Sequence, residues 1–319
     1  MMSYESPCPS VESEDAVYPF NRPDTDLILR SSDQTDFRVH RAILEMASSF
    51  FADGCDAFDK RNTGMTSLED GCLPVCHIDA DGPTINLILR HIYPLTIPKV
   101  QDIDDALTAV QVSQQYGFRL VTNAMKQTII RLAEANPLKV FARAALRRRE
   151  DEMRLSARLS LRYPILEGYV PDLEELSAGT YYRLLVYHRQ CGRVAAAAVD
   201  DLEWMEGLCG EGNSSLPAFF TCRLCPSFNI TPAAIRSKEI NVTSWFHALL
   251  LTFKQALRAR PCGSTMYNDE LTGPAMSEAM TCLVCRTSAL RDCKRTVEIL
   301  RETVNRAISL KVCNSIAVT

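Results

Sequence analysis

The sequence predicts an α+β domain near the N-terminus, followed by a mainly helical region with a cysteine-rich end. Three observations carry this reading. Short apolar runs at residues 27–29, 37–39 and 75–78, separated by polar turn material, read as strands. From residue 102 onward apolar residues recur at steps of three and four, the period of helices with one buried face. Nine of the thirteen cysteines lie from Cys191 to Cys313. A chain of 319 residues suggests roughly two domains at about 150 residues each.

In chain order, residues 1–22 are rich in Ser, Pro and acid and read as a disordered tail. Residues 31–36 form the polar turn between the first two strands. Residues 41–46 and 48–51 begin short helices, and the polar stretch 56–71 reads as a loop. After the third strand, Asp81-Gly-Pro83 starts a helix, with Pro where its missing N–H costs nothing. Ile85, Ile88, Leu89 and Ile92 form its apolar face. A helical pair fills 102–133, and Asn136-Pro137 breaks it, giving a first domain over 23–133. A helical region over 134–206 ends in a long helix from about 179 to 205, striped by Tyr181, Leu184, His188, Cys191, Ala195 and Val199. A glycine-rich loop then opens a cysteine-rich region over 207–319 with helices at 245–257 and 287–311. The last helix carries a seam of Leu290, Cys293, Val297, Leu300, Val304 and Ala307.

Net charge is −4, which argues against a whole-surface grip on nucleic acid. Residues 139–162 do hold eight Lys/Arg against three Asp/Glu, but acids follow Arg147-Arg-Arg149 at once and no aromatics interleave for base stacking. Residues 24–100 lean the other way, with twelve acids and seven bases; pairing of the two segments, within or between chains, is one use for them. No run approaches the ~18 apolar residues of a membrane span. The acidic start lacks a basic segment and apolar run, so the expected compartment is cytoplasm or nucleus. Without a secretory route, the sequons at Asn213, Asn229 and Asn241 are chance matches. No nucleophile elbow, phosphate loop, zinc-protease helix or dinucleotide fingerprint occurs, so no enzyme is expected. A metal-dependent or thiol enzyme stands as the alternative class.

The segment 24–93 resembles the BTB/POZ domain. The residues concerned are Asp26 ahead of the first strand, Phe37-Arg-Val-His-Arg-Ala-Ile-Leu44, Ser48-Ser-Phe-Phe51 and the helix ending His91-Ile-Tyr93. The helical pair to residue 133 extends the match, and the segment from Asn136 looks like the BACK-like helical region that often follows. The order of segments is similar to that of fungal BTB-domain proteins with a cysteine-containing helical C-terminal region. The resemblance implies a non-catalytic interaction scaffold, often a homodimer, with protein partners. It implies a partner-binding pocket at Asp26 and Arg41, with His40 beside them; the other reading of these residues is that Asp26 caps a turn, Arg41 is a solvated charge and His40 is a core hydrogen bonder. A substrate adaptor of a cullin ubiquitin ligase is the alternative within this class. Against it, Ala52-Asp-Gly-Cys55 stands where relatives continue with apolar residues, and no hydrophobic-x-Glu element is evident. Val17, Tyr18 and Phe20 are large apolar residues suited to a symmetric contact.

Cysteine supplies the chemical signal. An odd number of cysteines in a reducing compartment points to metal before disulfides. Cys222-Arg-Leu-Cys225 and Cys282-Leu-Val-Cys285 each offer two thiolates that can turn onto one tetrahedral ion, and two pairs complete a closed structural zinc site. The pairs are 56 residues apart, wider than a compact zinc ribbon. Alternates for one pair are Cys209, Cys262 and Cys293, and His247 is a weaker candidate; the bland reading is buried free thiols. A shared ion requires the four sulfurs to converge to about 4 Å.

Overall fold

The computed structural model describes residues 13–53, 73–209, 216–230 and 240–312. The polar stretch 56–71 and most of the glycine-rich loop lie outside them. The chain divides into two compact units, 1–135 and 136–319, at the Asn136-Pro137 break. Asn136 caps the helix that Pro137 begins, accepting from the Lys139 N–H.

In the first unit the strands are β1 (Glu14–Asp15), β2 (Leu27–Arg30), β3 (Thr35–Val39) and β4 (Val75–His77). They lie in the order β1-β3-β2-β4. The central pair is antiparallel, with Leu27 opposite Val39 and Leu29 opposite Phe37. β1 and β4 join it in parallel. Alternation puts Leu27, Leu29, Phe37 and Val39 on the buried face. Among the described residues, helices α1 (Arg41–Ala47), α2 (Ser49–Ala52), α3 (Gly82–Ile92), α4 (Ile103–Gln115) and α5 (Arg119–Ala135) accompany the sheet. Asp81 caps α3 by accepting from Thr84 N–H, the turn-plus-cap role its sequence signals. Gly117, at φ +71 between α4 and α5, sits where a Cβ would lie 2.6 Å from Ser49 Oγ.

Within the stretch 1–22 read as a disordered tail, the described residues 13–22 are folded onto the sheet. Residues 14–15 form a strand, and Phe20 is 1 % exposed, packed edge-on to Tyr93 at 5.5 Å. The outer edge of β3 offers unpaired backbone groups, and β1 satisfies them: Ala16 N–H donates to Asp36 C=O at 2.9 Å. Phe20 is therefore core, whereas Val17 and Tyr18 remain more than 70 % exposed.

Asp36 locks this edge. Its carboxylate accepts from Arg30 Nε at 2.6 Å, Arg30 Nη2 at 2.7 Å and Ser13 Oγ at 2.9 Å. Burial alone would raise its pKa, but the hydrogen bonds from Arg30 and Ser13 outweigh that and hold it below the usual carboxylate range. Its stabilisation is complete above the unfolded carboxylate value of about 3.9 and is lost as pH falls through the lower folded value. Asp36→Ala strands the Arg30 guanidinium in a mostly buried site and should cost about 3 kcal/mol at pH 7. In urea melts the difference from wild type should shrink below about pH 4; a difference constant down to pH 2 would refute the role.

The second unit holds α6 (Pro137–Leu146), α7 (Glu150–Ser160), α8 (Ala178–Asp200), α9 (Glu206–Cys209), α10 (Ala218–Thr221), α11 (Ser244–Ala259), α12 (Asp269–Thr281) and α13 (Ala289–Val312). A hairpin, β5 (Ser227–Ile230) and β6 (Ile240–Thr243), precedes α11, and Asn229 and Asn241 face each other across it. One apolar core runs from Leu138 through Trp204 to Ile308. The expected boundary at 206/207 therefore does not divide two cores. α8 packs against both α11 and α13, so residues on the two sides of that boundary bury the same surface. Small residues permit the approach: a Cβ on Gly192 of α8 would fall 2.7 Å from the Arg258 carbonyl of α11. His188 is buried on the α8 stripe, and burial lowers its pKa, keeping the ring neutral.

Candidate metal centre

The two Cys-x-x-Cys segments are delivered by different supports. Cys222 ends α10, its N–H donating to the Ala218 carbonyl at 2.9 Å. Cys225 follows one turn later, and Pro226 leads directly into β5. The base of the hairpin is closed by Ser244 N–H donating to the Pro226 carbonyl at 2.8 Å. Cys282 ends α12, and Cys285 opens a short 3-10 turn before α13. Irregular backbone at both places lets two side chains point the same way.

Asp292 ties the two segments together. Only 6 % exposed, its carboxylate accepts from the Ala218 N–H at 2.9 Å and the Ser288 hydroxyl at 2.8 Å. It thus joins the start of α10 to the start of α13, four residues before one pair and three after the other. Behind the sulfurs stands an aromatic wall. Phe219 stacks on Phe246 at 3.6 Å, and Trp245, fully buried, meets Phe219 edge-on at 5.9 Å.

The four sulfurs lie within 4.8 Å of one another. Cys222 Sγ is 3.6 Å from Cys282 Sγ, and Cys225 Sγ is 3.8 Å from Cys285 Sγ. A tetrahedron with 2.3 Å zinc–sulfur bonds has edges of about 3.8 Å. The closest contacts already match that edge. The cluster brings together Cys222, Cys225, Cys282 and Cys285 and could hold one zinc ion.

Donors around the cluster suit thiolates. The backbone N–H groups of Cys285 and Val284 aim at Cys282 Sγ and, with its sulfur neighbours, lower that thiol to about 6 against the opposing effect of desolvation. Trp245 Nε1 donates to Cys285 Sγ at 3.4 Å. Burial dominates at Cys285, raising it to about 11, and also raises Cys225. An ion with two positive charges would reverse that preference by favouring the deprotonated sulfurs. Four protein sulfurs leave no coordination position for a substrate.

The alternates stand apart. Cys293 is buried on α13, and burial raises its thiol to about 11. Cys262 contacts the Ser264 hydroxyl at 3.1 Å. The side chain of Cys209 lies outside the described residues. His247 stacks on Phe228 at 4.8 Å. None of these three described residues belongs to the four-sulfur group. Sequence reasoning missed Asp292 and Trp245. Nothing in periodicity marks them, although an acid in the first turn of the last helix is a recognisable cap partner.

In the first unit, Asp26 Oδ1 accepts from the Arg41 backbone N–H at 2.8 Å, capping α1 from a neighbouring segment. The Arg41 guanidinium reaches Glu45 at 2.8 Å. His40 is half-buried, its N–H donating to the Tyr93 hydroxyl at 2.8 Å. Asp26 and Arg41 are exposed and adjacent.

No curated protein matches the chain, so the fungal resemblance has no support beyond the sequence itself. No helix among the described residues is long and apolar enough to cross a membrane. The family model of the BTB/POZ domain matches residues 20–131. Its span takes in the mixed sheet from β2 to β4 and most of the helical pair. The first unit of this chain is thus a BTB/POZ domain, and a mainly helical unit carrying a four-cysteine cluster follows it.

Proposed function

We propose that the chain is a non-catalytic protein-interaction scaffold of the cytoplasm or nucleus. Its BTB/POZ domain acts by self-association, by recruiting a partner, or both, and its helical unit is held by one structural zinc ion. The match over residues 20–131 carries this reading, because BTB domains generally mediate protein–protein contact. Val17 and Tyr18 support a homodimer: they are exposed beside β1, an edge strand of the sheet, where a two-fold axis can pair the same patch on two copies. Asp26 and Arg41 offer an exposed polar contact for a partner, with His40 positioned through Tyr93.

Light scattering of the full chain at high micromolar concentration should give twice the 35.7 kDa chain mass. Replacing Val17 and Tyr18 with Ser should shift the mass toward one chain. A monomer throughout would overturn self-association. Affinity purification with the full chain separates the other uses. Stoichiometric cullin would establish the adaptor reading, and recovery of neither a partner nor a second copy would sink the scaffold.

A further inference from the structure

The four thiols that could hold an ion also stand close enough to one another to react together. Two short sulfur–sulfur contacts run between the Cys-x-x-Cys segments, at 3.6 and 3.8 Å. Each links residues 60 apart in sequence. As whole residues Cys222, Cys225 and Cys282 are half-buried, and within the cluster Cys225 keeps partial exposure, so a small oxidant reaches the sulfurs from its side. Among the other described cysteines, Cys76, Cys191 and Cys293 are buried, and half-buried Cys262 has a hydroxyl as its neighbour.

We infer that this cluster is an oxidation site at which a peroxide forms two crosswise disulfides, Cys222–Cys282 and Cys225–Cys285, and expels the metal ion. The metal-release half rests on the zinc reading above. In each pair one sulfur attacks the peroxide O–O bond to give a sulfenic acid, and the partner sulfur displaces hydroxide from it. In forming each disulfide a pair of thiolates gives up two electrons and, with two protons, reduces one peroxide to two waters. For the whole site, four thiolates on one zinc ion, two hydrogen peroxides and four protons yield two disulfides, free zinc and four waters. A disulfide has no lone thiolate to offer zinc, so release follows from bonding. The crosswise arrangement matters to the fold. It joins the end of α10 to the end of α12, as the ion does, whereas a bridge inside either Cys-x-x-Cys segment would join neither. The staple then survives oxidation in covalent form.

The test uses the full chain with metal content measured first. Hydrogen peroxide is added in small steps, remaining thiols are alkylated, and the disulfides are mapped by mass spectrometry without reduction. A chromophoric chelator follows zinc in the same samples. The expected result is a Cys222–Cys282 and a Cys225–Cys285 link, with one zinc released per two disulfides and both reversed by a thiol reductant plus zinc. Cys222→Ser should retain only the Cys225–Cys285 link. Bridges within the pairs, earlier oxidation of Cys262, or zinc loss without disulfides would overturn the inference. A chain purified without metal that still forms the crosswise links would defeat the zinc reading and leave the oxidation site standing.

Discussion

Cys222→Ser and Cys282→Ser are each expected to lower bound zinc from one ion per chain to near zero and to destabilise the helical unit. Both tryptophans, Trp204 and Trp245, lie in that unit and are buried, so their emission reports on it alone. Structural zinc in small peptides provides roughly 10–16 kcal/mol of apparent binding free energy. A preformed core needs only part of this. Loss of about 4 kcal/mol would lower the melting temperature by roughly 10 °C in a unit of this size. Chelation of the wild-type metal should produce the same shift, and zinc should reverse it. Each serine exchange removes one sulfur and leaves three, which cannot close a tetrahedral site. Zinc-free protein with unchanged tryptophan melting would return the four cysteines to the status of buried thiols.

The ligand set was legible because Cys-x-x-Cys is a local signal: two residues between thiols suffice to turn both onto one point. Convergence of the two pairs was not legible. Fifty-six residues separate them, and a hairpin, two helices and a 3-10 turn lie between Cys225 and Cys285. Those elements carry weak patterns of their own. β5 is exposed along most of its length, so no period-two burial announces it. Asp292 and Trp245, which lock the site, act through tertiary contacts with residues 74 and 40 positions away.

The fold shows the same division. Strands β2 to β4 and helix α3 were readable because alternation and capping are local. β1 was not. Glu14 and Asp15 have a disordered composition, and only the open edge of β3 gives them a ladder. The units divide at Asn136-Pro137, where a cap residue and a proline mark the break in plain sequence. The absence of a second division at 206/207 is a packing fact, since α8 and α13 share one face.

Val304→Asp should cost about 3–5 kcal/mol, among the largest effects of any single exchange in the helical unit. The last helix was expected to seal with Leu290, Cys293, Val297, Leu300, Val304 and Ala307. Leu300 and Val304 are fully buried, and Cys293 and Val297 nearly so. Ala307 is half-buried. Leu290 departs from the seam: it is 52 % exposed, and Ala289, with none of its surface accessible, faces inward in its place. A helix advances about 100° per residue, so a seam set by Cys293 and Val297 runs back to residue 289 at a step of four, whereas a step of three stops about 60° short of a full turn, on the wet side. α13 packs its seam on α8 within the same chain. A carboxylate at position 304 would therefore be buried with no partner, and the core would lose the valine contacts as well. Val304→Ala should cost less, about 1–3 kcal/mol, since it only vacates space. Leu290→Asp on the same helix should fall within about 0.5 kcal/mol of wild type. Urea melts followed by tryptophan emission compare the three directly. Equal losses for Leu290→Asp and Val304→Asp would mean that the helix is rotated from the face described, and the packing of α13 on α8 would have to be abandoned.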